Sequence, residues 1–175
     1  MKRKQRGFGI FEVVTTTGIV ALVAVGSGGL LVSMFKSFQY SGTQFSADMQ
    51  TSQSIQKLAK DLQEAKQITL ISSTDMRIYY PQKDANGVYT SSLDNSNTVD
   101  YYLGDFAGNL SSAGTYLIRK PNGGSPRRIC DGVILLDFTS PDPDSVDVSL
   151  KAKVKVGSVT KQCDMVHRAI FLRNY

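Results

Sequence analysis

His167 is the single histidine of the chain, and Cys130 and Cys163 are its two cysteines. Two thiols and one imidazole cannot complete a four-ligand Cys/His zinc site. His167 is flanked by Val166 and Arg168. No nucleophile or carboxylate stands at a recognised spacing from it, so a surface or cross-strand histidine is expected rather than a general base. Asp94, Ser96, Thr98 and Asp100 alternate in loose imitation of a calcium loop. The sixth position of that loop is Val99, where an EF-hand requires glycine, and no glutamate closes it. These aspartates, and the acidic loop of Asp142, Pro143, Asp144 and Asp147, are expected to build turns. Lys151, Lys153 and Lys155 form a ladder on one strand face. A solvated face that discourages edge pairing is the expected reading. The residues thus point to no catalytic group, no metal and no cofactor.

Glu12 is different, because a long apolar run begins directly after it. Val13 to Phe35 is a stretch of 23 residues without a charge, 14 of them hydrophobic. As a helix, 23 residues span roughly 35 Å, enough to cross the hydrocarbon core of a bilayer. Lys2, Arg3, Lys4 and Arg6 precede the run. Cations on that side stay cytoplasmic, so the bulk of the chain is expected outside. A cleavable secretory signal would share the charged start, with Ala24-Val25-Gly26 as its cleavage site, but its apolar stretch would be shorter. A plain signal anchor leaves Glu12 unexplained, since an ionisable group in a membrane segment costs on the order of a few kcal/mol. A partner cation would explain it. A cut between Gly7 and Phe8 would create an α-amine one helical turn from Glu12, and a staggered neighbouring subunit could set its own amine against this carboxylate.

The basic leader, Gly7-Phe8, Glu12 and the long apolar run together resemble the class III signal of type IV pilins and pseudopilins. One departure is Gly9, where that family usually has Thr or Ser. The resemblance implies that prepilin peptidase cuts after Gly7, that Phe8 becomes the N-methylated first residue, and that Glu12 guides assembly. It also implies an inner-membrane assembly platform and other pilin or pseudopilin subunits as partners, with the lipid bilayer as the surroundings before assembly.

The chain has 175 residues, 41% hydrophobic and 20% charged, which suits one folded domain and excludes a disordered or multi-span class. Of the net charge of +5, the leader carries +4. Beyond Phe35, 16 basic residues face 14 acids, so no nucleic-acid partner is expected. Ile55, Leu58, Leu62 and Ala65 recur on one helical face, and Phe45 and Met49 are read as extending it upstream. One long helix is therefore expected over about 8–67, with Gly26, Gly28, Gly29 and Gly42 as flexible points or close-packing positions. Strands are expected at 76–80, 99–103, 115–120, 133–138, 145–156 and 166–173, and turns at 84–87 and 121–124. The run 133–138 reads as the most buried. The expected organisation is a leader at 1–7, a transmembrane or filament-core helix at 8–35, its amphipathic continuation at 36–70, and an extracytoplasmic β-rich domain at 71–175. The fold class is α+β: one long N-terminal helix packed on an antiparallel sheet.

Within the pilin family, Tyr101-Tyr102-Leu103, Tyr116-Leu117-Ile118-Arg119, Gly132-Val133 and Leu172-Arg173-Asn174, in that order, are similar to minor pilins of the PilW type and J-type minor pseudopilins of type II secretion. That implies a structural subunit that primes the filament or sits near its tip, and no enzyme. An unprocessed membrane-anchored binding module is the alternative, and a secreted enzyme a third class. Outside the cytoplasm, Cys130 and Cys163 are expected to form a disulfide, with two free buried thiols as the alternative. Pilin-like domains often carry such a bond.

Overall fold

The computed structural model of the protein describes residues 9–142, 144–163 and 166–172. The leader residues 1–7 and Phe8 lie outside that range. Helix α1 runs Ile10–Gln63 and is followed by nine strands: β1 Gln67–Ser72, β2 Asp75–Lys83, β3 Tyr89–Gly104, β4 Tyr116–Pro121, β5 Arg127–Asp131, β6 Val133–Thr139, β7 Ser145–Val156, β8 Val159–Gln162 and β9 Val166–Phe171. One sheet has the order β1-β2-β3-β4-β5. In the other, β6, β8 and β9 all pair with β7. Every pairing is antiparallel. The fold is α+β, with two sheets where one was expected.

The chain forms two compact units, Met1–Ser41 and Gly42–Tyr175. In the first, every described residue of α1 is exposed, including Ile10, Phe11, Leu22, Val25 and Phe35. The helix passes through Gly18, Gly26, Gly28 and Gly29 without a break.

In the second unit, α1 buries Thr43, Ala47, Thr51, Ser54, Ile55, Leu58, Ala59 and Leu62. The apolar members share one cluster with Met76, Tyr101, Leu117, Phe138, Val148 and Leu150 of the sheets. Ile55, Leu58, Leu62 and Ala65 are buried as expected, whereas Phe45 and Met49 are 69% and 49% exposed. The reason is angular. At about 100° per residue, Met49 lies about 180° and Phe45 about 140° from Leu58, while Thr51 and Ala47 lie within about 20° of it. The buried stripe therefore continues upstream through small and hydroxyl-bearing residues.

The helix ends at Gln63, and the segment expected to continue it is strand β1. The β-branched Ile68, Thr69 and Ile71 favour that state. Lys66 N–H donates to Tyr79 O at 2.8 Å and starts the β1–β2 ladder. Strand β2 continues through Pro81, and β3 is far longer than the expected 99–103. The turns at 84–87 and 121–124 form where expected, with Gly87 and Gly123 at positive φ. Strands β5 and β8 were not legible; each is short and polar. Strand β6 is only half buried, because a register shift between Val133 and Leu135 turns Ile134 and Leu135 outward. Arg173 of the expected last strand lies outside the described residues.

Gly132 joins the two sheets. Its φ is +66, and its carbonyl accepts a hydrogen bond from Lys153 N–H at 2.8 Å. A Cβ there would stand 2.1 Å from Lys153 O. Gly132→Ala is expected to cost at least about 2 kcal/mol, from strained φ plus a backbone clash. Gly123→Ala, at a positive φ but in open space, should cost only about 1 kcal/mol. Denaturant unfolding of the two full-length variants measures the difference.

Candidate functional site

The first site lies on the helix. Glu12 is in the first turn of α1 and exposed. Among the described residues, α1 is the one helix long and apolar enough to cross a membrane, as a single-pass anchor does. Its hydroxyls fit an apolar medium. Thr15 donates to Phe11 O at 2.9 Å, Thr16 to Glu12 O at 2.6 Å, Thr17 to Val13 O at 2.8 Å, and Ser27 to Val23 O. Each back-bond satisfies a polar hydrogen within the helix itself. The processing residues Gly7 and Phe8 lie outside the described range, so the site is seen from Gly9 onward.

Cys130 and Cys163 are both buried and carry free thiols in this structure. They come from different sheets. Cys130 is in β5, and Cys163 follows β8, where its N–H donates to Ala152 O at 3.0 Å. The Cys163 sulfur accepts Ala152 N–H at 3.1 Å and the Thr51 hydroxyl at 3.2 Å. Burial pushes the Cys130 thiol up to about 12, with Cys163 among the neighbouring groups that raise it. A thiol raised in this way is a poor nucleophile. Ser54, one turn from Thr51, donates to Ile129 O, and Gln44 to Gln162 O at 3.2 Å. These three helix residues fasten both cysteine-bearing segments to α1.

The remaining candidates are committed to structure. His167 stands directly across from Ser149, with its Nδ1 2.9 Å from Ser149 Oγ. Asp147 Oδ2 is 3.9 Å from Nε2, too far for a hydrogen bond. Strand register brings this Ser–His–Asp set together across an 18-residue separation that no local spacing reveals. His167 is 56% exposed there, without the enclosed, oriented imidazole that a triad needs. Asp94 caps its own bulge: its Oδ1 accepts Ser96 N–H at 3.0 Å and Asn97 N–H at 3.2 Å, and with the Ser96 hydroxyl these hold the carboxyl below its usual range. Asp100 is held by Arg77, so the alternating set does not converge on a cation. Among the described residues no group of three or more His, Cys, Asp or Glu could hold a metal. Asp142 O accepts the Ser140 hydroxyl at 2.8 Å, and Asp144 O accepts Leu172 N–H at 2.8 Å. Lys153 and Lys155 lie opposite Gln162 and Thr160 of β8. Their strand is thus paired there, and edge protection is not their role.

One constellation was not legible in the sequence. Asp61, near the end of α1, accepts the Tyr101 hydroxyl at 2.8 Å and Arg119 Nε–H at 2.7 Å. The Asp61 and Arg119 side chains are only 13% and 19% exposed. Burial, and then the Asp61 charge, push Tyr80 beside them up to about 12. Asp61, Arg119 and Tyr80 line an open cleft of about 620 Å³ that also includes Glu64, Lys83 and Tyr89. Lys83 lies over the Tyr89 ring, 4.8 Å from its centre. Asp61 thereby ties the end of the helix to β3 and β4 beside the cleft. The residues are 40 and 58 positions apart, which is why local patterning misses them.

In comparisons with known proteins, no family model, no curated sequence and no solved structure matches the chain.

Asp61→Ala is expected to destabilise the full chain by about 3 kcal/mol, because it leaves the Arg119 guanidinium buried without a counter-charge. Replacing both partners with Asp61→Asn and Arg119→Met should recover a large part of that loss. Denaturant midpoints of the single and double variants check the coupling.

Proposed function

We propose that the chain is a structural subunit of a type IV pilus or type II secretion pseudopilus, of the minor pilin or pseudopilin kind. It is inserted in the inner membrane, cut by prepilin peptidase after Gly7 and N-methylated on Phe8. It is then drawn by the assembly platform into a filament with other subunits, where it primes assembly or sits near the tip. The observation that carries this reading is Glu12: a carboxylate at the head of an exposed apolar helix, one turn beyond the Gly7-Phe8 pair. In a low-dielectric filament core that carboxylate pairs with the methylated α-amine of a neighbour. Apolar packing of the 13–35 segment supplies most of the association. No reaction is catalysed in this role.

The intact mass and N-terminal sequence of the native protein extracted from membranes test the reading. A start at methylated Phe8 is expected. A start at Met1 would make the chain an unprocessed anchored module, and a start near Ser27 a secreted domain.

The same reading places Cys130 and Cys163 outside the cytoplasm, joined as a disulfide. The bond would close a loop of about 34 residues, worth roughly 3–4 kcal/mol in the chain-entropy account. Native protein denatured with iodoacetamide and no reductant should take no label at either cysteine. Full labelling would show two free thiols.

A further inference from the structure

The lysine ladder of β7 has no partner inside the fold. Lys151, Lys153 and Lys155 alternate with Leu150, Ala152 and Val154, which turn toward the core. Lys151 pairs with Leu135 of β6, and Lys153 and Lys155 with Gln162 and Thr160 of β8. Lys153 and Lys155 are exposed. Among the described residues none of the three lysines joins an ion pair. That includes Asp131, one residue before the Gly132 whose carbonyl takes Lys153 N–H. Their ammonium groups recur about every 7 Å along the strand.

The hairpin that carries the ladder lies along α1. Cys163 Sγ accepts the Thr51 hydroxyl at 3.2 Å, and one residue earlier Gln162 O accepts Gln44 Nε2–H at 3.2 Å. One step back along β8 matches about two turns back along the helix. The hairpin therefore runs from Thr51 toward Gly42, where the β-rich unit begins, and its tip at residues 156–159 lies at that end. The tip turns on Gly157, at φ +60, and leaves Val156 51% exposed.

Residues 36–41 alone separate Gly42 from Phe35, the last residue of the apolar run. Fully extended, that link reaches about 25 Å. With α1 in a bilayer, chain length by itself keeps a membrane surface within that reach of Gly42.

We propose that the β7–β8 hairpin docks on the anionic phospholipid surface of the membrane that holds α1. Lys155 and Lys153 set their ammonium groups against lipid phosphates, and Val156 enters the headgroup layer. Lys151, about 13 Å along the strand from Lys155, adds less, because the attraction falls off within a Debye length. The tether favours lipid over a protein partner: it holds the ladder near a membrane surface before any other subunit arrives. The inference rests on the membrane-inserted stage of the proposed function and not on the cut after Gly7. Docking holds the unit against the bilayer, and extraction into a filament releases it.

The test places the full chain in nanodiscs of phosphatidylcholine, with or without phosphatidylglycerol. Valine methyls carry ¹³C, and a lipid with a gadolinium-chelating headgroup marks the surface. Broadening of Val156 relative to Val88, an exposed valine of the β2–β3 turn, reads docking. Several-fold stronger Val156 broadening is expected in the anionic discs. It should vanish in about 1 M salt, where the Debye length falls to about 3 Å. Lys153→Gln with Lys155→Gln should lower the ratio of docked to free hairpin roughly 25-fold, or about fivefold per lysine. Lys153→Arg with Lys155→Arg should preserve it, and unmoved Val146 and Val148 signals report an intact core in both variants. Equal broadening in neutral and anionic discs, or no effect of the glutamines, would overturn the proposal. So would broadening that grows with the number of chains per disc, which would assign the lysines to a protein neighbour. A chain that does not enter the discs would overturn the anchor and the docking together. An anchored chain with a free hairpin would overturn the docking alone.

Discussion

The β-rich unit is organised around one face of α1, and that face is narrow in a particular way. Between Thr43 and Ser54 its buried positions are Thr, Ala, Thr and Ser. Small side chains let strands approach the helix backbone closely. They give up apolar area, and they bring hydroxyls into a dry interface where each must find a partner. Thr51 meets the Cys163 sulfur and Ser54 meets Ile129 O. Only in the last turns, from Ile55 to Leu62, does the face become a conventional apolar stripe. The helix is thus held first by hydrogen bonds to β5 and the β8 end, and then by packing. Asp61 adds a charged tie to β3 and β4.

Several charged groups of the described residues are engaged within the fold. Arg119 and Tyr101 serve Asp61, Arg77 serves Asp100, Asp94 serves its own bulge, and His167 is held by Ser149 on an open sheet face. A fold that commits its charges internally is suited to presenting fixed surfaces.

The first 32 positions of α1 obey a different constraint. They bury nothing, and their threonine and serine hydroxyls bond back along the helix. A helix of this length and hydropathy is compatible with a single-pass membrane anchor. In the filament we propose, neighbouring helices would cover this part of the chain, whereas the other part is covered by its own sheets.

Much of this was legible from residues alone, for physical reasons that differ along the chain. The apolar run, its basic leader and Glu12 are local facts of composition and order, and the helix they form needs no distant partner. The buried alternation of β7 and the turns at Gly87 and Gly123 are equally local, since period and positive φ follow from neighbouring residues. Sequence periodicity placed Phe45 and Met49 on the wrong side, because their hydrophobicity outweighed the angle at which they leave the helix. It could not find β5 and β8, which are strands only because longer neighbours pair with them. Nor could it see Asp61 with Arg119, the two cysteine-bearing segments tied to α1, or His167 with Ser149. Each of these is a matter of register and close approach between segments tens of residues apart, and only the folded sheets bring those segments together.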